Sequence, residues 1–432
     1  MDVFCGIDWA EGHHGVTLVD DTGTLLAKCR INDDLDCYRL LLDLLVGHGD
    51  TVETPIPVAI RTSRGLLNAM LRQSPRKIYA VNPMAASRYR DRHGASRKKS
   101  DPGDALVLAN IIRTDAPTHR CTDAPMHRRT DAPTHRRTDA PMHRPLPADT
   151  DLVQAVAVLA RAQQDAVWNR QQVANQLRSL LREYFPAVIV AFRDKPGTLT
   201  RPDARRILAV APTPALAAGL QMWKPTAMLR RAGRRRGIET DAERIQQLFR
   251  EEAPRQLPLV EDAMGTQARA LLLQLDAACE AVDDLARATE EAFRARPDAA
   301  ITLSFPGIGT QAGARILGEI GDDRSRFATD GGLKAYAGSA PITQASGKRH
   351  YGGRRFVKNN QLNHVGHLWA FASLSGSAGA DSHYRRRRAG GDWHMQALRH
   401  LFNRMLGRLH HCLLARAPFD EAVAFPPPAA AG

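Results

Sequence analysis

The chain has 432 residues, with 60 Lys and Arg against 46 Asp and Glu, a formal charge of +14 and a pI near 9.9. That length exceeds one ordinary domain, and that charge points to a polyanion, DNA or RNA rather than a membrane surface, because no amphipathic basic stretch carries a bulky aromatic face. No apolar run approaches the roughly 20 residues that span a bilayer, no signal peptide is expected, and Cys5, Cys29, Cys37, Cys121, Cys279 and Cys412 form no CxxC pair, which excludes a disulfide framework or a compact cysteine zinc site. A cytoplasmic location on the nucleoid is expected.

Residues 1–112 read as α/β. Val3–Asp8 is a strand ending in an acid, and Gly15–Asp20 and Thr24–Ile31 follow across short turns, so the three are antiparallel. Leucines at helical spacing predict a helix over Asp36–Val46. A strand at Ile56–Ile60, a helix at Arg64–Arg72, a strand at Lys77–Val81 and a helix at Ser100–Ile112 complete the domain. That order is the order of a ribonuclease-H-like fold, whose first strand is central and whose acid points at the active site. Asp101 and Asp104, three apart at a helix start, share a face. With Asp8 they make a cluster of hard oxygen ligands, the kind that phosphodiester chemistry with Mg²⁺ requires. Ser100-Asp101-Pro102-Gly103-Asp104 also reads as an ordinary capped helix start; the combination with Asp8 in this topological order, in a basic chain, is what carries the metal reading. The basic run from Arg88 through Arg97, Lys98 and Lys99 fits a phosphate-contacting approach to that cluster, with a solvated loop as the alternative.

Residues 113–149 form a linker, of which 113–144 repeat with period eight: RTDAPTHR, CTDAPMHR, RTDAPTHR, RTDAPMHR. Each unit carries a Pro and no apolar periodicity, so none builds a core. The eight-residue spacing of His119, His127, His135 and His143 does not match a compact metal site.

Residues 150–298 carry two seams at coiled-coil spacing. One runs through Val173, Leu177, Leu180 and Tyr184, the other through Leu271, Leu275, Ala278, Val282 and Leu285, with Thr289 interrupting it. They predict an antiparallel coiled-coil arm, or else two core helices of a bundle. The insert between them holds Arg230-Arg231 and Arg234-Arg235-Arg236.

Residues 299–420 are mainly helical. The segment 301–321, ITLSFPGIGTQAGARILGEIG, resembles a helix-hairpin-helix, whose Gly307 and Gly309 would let backbone N–H groups approach a phosphate. A plain helical hairpin is the alternative. Ser339 follows in KAYAGSAP and Ser346 in QASGK, beside Lys348, Arg349, Arg354, Arg355 and Lys358. A serine that attacks a phosphodiester needs such charge neutralisation. Residues 421–432 are expected to be a disordered tail.

GIDWAEGHH, PVAI, AVNPMAASRYRDRH, SRKKSDPGDALVLANI, LSFPGIG, AYAGSAP and ASGK occur in this order over nearly the whole chain. On these motifs the sequence resembles the DEDD transposases of Piv-type DNA invertases and related insertion sequences. Members pair a RuvC-like domain of four acids with a C-terminal domain carrying a catalytic serine, and several are guided by a structured bridge RNA from the element's own end. The resemblance implies that Asp8 is the first acid and that Asp101 and Asp104 are the last two. It makes Ser346 the serine, with Ser339 in reserve, acting in a composite site with Mg²⁺-bound carboxylates. It implies element-end DNA, target DNA and guide RNA as partners, and a homodimer or homotetramer for four-strand exchange. One position departs. VAIRTSRGLL has Arg61 where the family has Glu, and neither Glu53 nor Glu11 replaces it. A cation there should repel Mg²⁺ and pair with the remaining carboxylates, leaving a folded protein impaired in strand cleavage. A RuvC-like junction nuclease and an inactive nucleic-acid-binding relic are the rival readings.

Overall fold

Alternating apolar residues joined by tight turns build the sheet of the first unit, residues 1–148 of a computed structural model. β1 (Phe4–Trp9), β2 (His13–Val19) and β3 (Leu25–Asn32) form an antiparallel meander. α1 (Leu35–Val46) starts where Asp34 accepts from the Cys37 N–H. Then come β4 (Val58–Ile60), α2 (Leu66–Leu71), β5 (Ile78–Ala80), α3 (Pro83–His93) and α4 (Asp101–Asp115). The strand order is β3-β2-β1-β4-β5, with β4 parallel to β1 and β5 parallel to β4, so β1 is central as expected. The structure describes residues 2–9, 12–32, 34–62, 65–93, 101–115, 145–192, 197–346, 349–353 and 355–426. Arg97, Lys98, Lys99, Lys348 and Arg354, and residues 116–144 of the repeat segment, lie outside them.

Alternation along β1 sorts its residues. Cys5 and Ile7 enter the core shared with α1 and α2, where burial pushes the Cys5 thiol up to about 12. Phe4 enters the opposite core with Leu108, Ala109 and Ile112 of α4. Gly6 shares the Phe4 face, and a Cβ there would stand 2.0 Å from Ala105 O and 2.5 Å from Ala109 N. Only glycine lets α4 lie this close to the central strand. Gly6→Ala is therefore expected to cost about 3 kcal/mol by overpacking and to lower the first unit's calorimetric transition by about 10 °C. A shift under about 2 °C would show that α4 tolerates displacement.

In the first unit one element, α3, was not expected. The basic segment that begins at Arg88 starts inside a helix, α3, because Pro83 fits a first helical turn and Asn82 O accepts from the Ala85 and Ala86 N–H groups. Ala86 is buried and Tyr89 packs against the same core.

The second unit, residues 149–432, opens with α5 (Asp151–Tyr184), which stops where Pro186 starts α6 (Pro186–Phe192). The insert folds into α7 (Pro202–Val210), α8 (Pro214–Ala218), α9 (Trp223–Arg231) and α10 (Ile238–Arg250). α11 (Pro258–Arg294) then returns along α5. The pair is antiparallel. Val173 to Tyr184 of α5 share a core with Ala268 to Cys279 of α11 and the insert helices, whereas Val156 and Ala160 share a second core with Phe293. The apolar seams are thus covered by other helices at both ends. Thr289 stays in the seam because its hydroxyl donates to Leu285 O. Part of the insert's basic cluster is structural: Arg234 bridges Asp203 and Asp241, and Arg230 meets Glu239 at 2.9 Å.

The second core takes residues from α12 (Asp298–Leu303), α13 (Thr310–Ile320), α14 (Asp330–Tyr336), α15 (Asn360–Ser373), α16 (Ala378–Ala389) and α17 (His394–Ala415). An antiparallel hairpin of β6 (Ile342–Ser346) and β7 (Arg349–Gly353) stands between α14 and α15 in the chain, and α18 (Glu421–Ala424) follows α17. The start of the expected tail is ordered, since Glu421 Oε1 accepts from Ser377 Oγ and the Gly379 N–H. Residues 427–432 lie outside the described residues. Among the described residues no helix is long and apolar enough to cross a membrane.

Candidate active site

Asp8 lies on the Gly6 face of β1, the face that α4 covers, and Asp104 precedes the Ala105 that touches Gly6. The strand and the helix therefore bring two carboxylates together at the end of the central strand, 5% and 2% exposed. Ile60 of β4 pairs with Ile7 of β1, so the next residue, Arg61, emerges beside Asp8. Its Nη1 stands 3.0 Å from Asp8 Oδ1 and its Nη2 donates to Asp104 Oδ2 at 2.6 Å. Arg90 of α3 donates to the other oxygen, Asp104 Oδ1. Asp101 is the first residue of α4, one turn before Asp104.

Two buried carboxylates thus face two guanidinium groups. Their charges cancel, and both oxygens of Asp104 are engaged. A divalent cation needs an excess of negative oxygen donors, so the cluster as arranged does not fit one. Among the described residues no group of three His, Cys, Asp or Glu is placed to hold a metal. Sequence reasoning missed Arg90 as a member; its signal was the RYRDRH run, read there as a phosphate approach.

In the second unit the two serines occupy different settings. Ser339 follows Gly338, whose φ of +72° ends α14 in a left-handed turn. It is 2% exposed, with Oγ 3.0 Å from Asn403 Oδ1 and 3.3 Å from Lys334 O. Ser346 ends β6 and pairs with Arg349 of β7, so only Gly347 and Lys348 separate the strands. The hairpin's two feet are tied together. Asn359 N–H donates to Tyr336 O at 2.7 Å, Asn363 Nδ2 donates to Ala337 O at 3.0 Å, and the Lys358 stem packs on Gly338. Asn359 Nδ2 also reaches Glu319, which Arg161 holds through two bonds of 2.6 and 2.9 Å. Within a region expected to be mainly helical, β6 and β7 form a hairpin on a braced base. Arg355 beyond it is half-buried. Burial raises the thiols of Cys5, Cys29, Cys279 and Cys412 above the ordinary value, which disfavours these four as nucleophiles.

The glycines between α12 and α13 divide in role. Gly307 has φ +77°, and a Cβ on it would meet Ser373 N at 2.5 Å, while Trp369 Nε1 donates to Pro306 O at 3.0 Å. Packing alone accounts for Gly307. Gly309 caps α13 with no side-chain bond, and a Cβ there would meet nothing within 4 Å. Of the two, it is the one at an open helix N-terminus, the geometry that suits a phosphate.

Comparisons with known proteins cover both regions. A transposase family of the DEDD IS110 type matches residues 5–128, and the transposase IS116/IS110/IS902 family matches residues 299–385. The chain is 63% identical over 427 residues to the IS117 mini-circle protein of Streptomyces coelicolor, covering 99% of this chain and 97% of that one. It is 27% identical over 419 residues to the 43.6 kDa protein of insertion element IS110 from the same organism, covering 92% and 90%. It is 26% identical over 442 residues to the 44.8 kDa protein of IS116 from Streptomyces clavuligerus, covering 97% and 96%.

Proposed function

Because the chain belongs to the IS116/IS110/IS902 family of insertion-sequence transposases, we propose that it is a DNA recombinase that uses Ser346 as its nucleophile and is restrained in strand cleavage by Arg61. As a transposase it acts on DNA, and its place of action is the nucleoid. The observation that carries the reading is the meeting of Asp8 and Asp104 where the central strand and α4 touch, closed by an arginine from the neighbouring strand.

In the reaction, the Ser346 oxygen attacks a phosphodiester phosphorus and loses its proton. One phosphorus–oxygen bond to deoxyribose breaks, its oxygen leaves as a hydroxyl by taking up a proton in place of the one serine gave up, and the DNA is held as a serine phosphoester. A strand hydroxyl from the partner duplex then attacks that ester, joining the new ends and releasing serine. Ser346 suits this role because it flanks a hairpin tip beside Lys348 and Arg349, with Arg354 and Arg355 following, where cations offset the phosphate charge. Burial of Ser339 beside Asn403 supports the choice. DEDD transposases in general depend on a divalent metal. Mg²⁺ is the ion the resemblance implies, and Asp8, Asp101 and Asp104 would hold it only in a chain where Arg61 no longer occupies the cluster. The clamp also favours a second reading, a folded nucleic-acid-binding relic that no longer cleaves.

The resemblance extends the proposal to guidance by RNA from the element's end, with base pairing choosing the site and protein reading backbone and shape, and to a homodimer or homotetramer. The test is a plasmid carrying the element ends with the chain supplied in trans. Joined products at low frequency, lost when the transcribed end is deleted, are expected. Products that survive the deletion would remove the guide. No product from either wild type or Arg61→Glu would leave the relic.

A further inference from the structure

α15, α16 and α17 bring aromatic side chains together on one surface, where Tyr384 backs onto the second core. Phe371 is 60% exposed and Trp393 80% exposed. The His394 ring meets Phe371 edge-on at 6.4 Å and Tyr384 at 5.8 Å, and Tyr384 Oη lies 2.7 Å from His394 Nδ1. Beside them α16 ends in four arginines, Arg385 to Arg388. Arg387 donates to Asp392 Oδ2 and Arg388 donates to Asp392 O, which fixes the chain one residue before Trp393. Along α17, His400, Arg404 and Arg408 recur at intervals of four, about 6 Å per step, on the flank next to a face buried through Leu401, Met405 and Leu409. Asp381 and Asp392, each paired with an arginine, are the acids among these side chains. Burial first, and then the charges of Arg404, Arg386 and Arg387, hold the His383 imidazole down to about 4.

We propose that this face binds an unpaired DNA strand, with Trp393 as the stacking platform and Arg386, Arg388 and Arg404 on the backbone phosphates. Arginines alone would serve a duplex, whose bases are stacked on one another. A large exposed indole set against them suits a base whose π-face is open. Strand exchange leaves such unpaired DNA at the ends being joined, so the proposal rests on the family's action on DNA. Binding, however, is read without strand joining, and failure of either reading leaves the other measurable.

The experiment uses the full chain and fluorescent oligothymidylate, with a duplex and an oligouridylate of equal length as the other arms. Trp393→Ala is expected to weaken single-stranded DNA roughly tenfold and duplex less than about twofold, while Trp393→Phe retains most of the affinity. Replacing Arg386 and Arg388 by Ala should reduce the slope of log affinity against log salt by roughly 1.4, two contacts at about 0.7 each. Thermal unfolding of each variant checks the fold, which an exposed indole should not affect. Unchanged oligothymidylate binding by Trp393→Ala, equal losses on duplex, or a larger loss on oligouridylate would each overturn the proposal.

Discussion

Arg61→Glu is expected to turn a closed ion cluster into a divalent-metal site. Arg61 touches both carboxylates and is itself mostly covered, its side chain 21% exposed. Removing a cation from buried partners costs about 3–5 kcal/mol when nothing replaces it. Without metal the variant should therefore melt below wild type, and Mg²⁺ should restore it by mass action. Wild type should show neither a melting shift nor binding heat with Mg²⁺. Strand cleavage should rise on the order of 100-fold or more, since a bound metal contributes several kcal/mol and each 1.36 kcal/mol is tenfold. Arg61→Ala separates the two effects, opening the cluster without adding a ligand, and should fall between them. Wild type that binds Mg²⁺ and cleaves as fast as Arg61→Glu would sink the idea.

Ser346→Ala should abolish any trapped protein–DNA adduct, a loss of more than about 10³-fold, because removing a nucleophile removes the covalent step itself. Ser339→Ala should keep the adduct and lose about 1 kcal/mol of stability, since the half-buried Asn403 Oδ1 would lose its hydroxyl partner. If wild-type adduct falls below detection, the same pair made in Arg61→Glu carries the comparison. An adduct kept in Ser346→Ala and lost in Ser339→Ala would reverse the assignment.

Much of the first unit was legible in the sequence because its signals are local. Alternation in Val3–Asp8 and the leucine spacing after Asp36 set the order of the elements. The central place of the first strand followed from that topology. The acids Asp8, Asp101 and Asp104 and the odd Arg61 could be named before any coordinates, as could the chance that Arg61 would pair with the carboxylates. α3 was less visible, because its charged residues hide the small inward face of Ala86 and Tyr89.

What tertiary structure decided are the partners of side chains distant in sequence. That Arg90 joins Arg61 on Asp104 depends on where α3 crosses α4. That Ser339 is buried while Ser346 lies at a hairpin depends on Asn403 and Asn359, which lie 64 and 23 residues from Ser339 and Tyr336 respectively. The seams of α5 and α11 have coiled-coil spacing, yet only their burial shows other helices covering them. Phe371, Tyr384 and His394 have no shared pattern along the chain; three helix axes put them on one face. Periodicity records which side of an element is apolar. Which surface meets that side is set by packing over the whole fold.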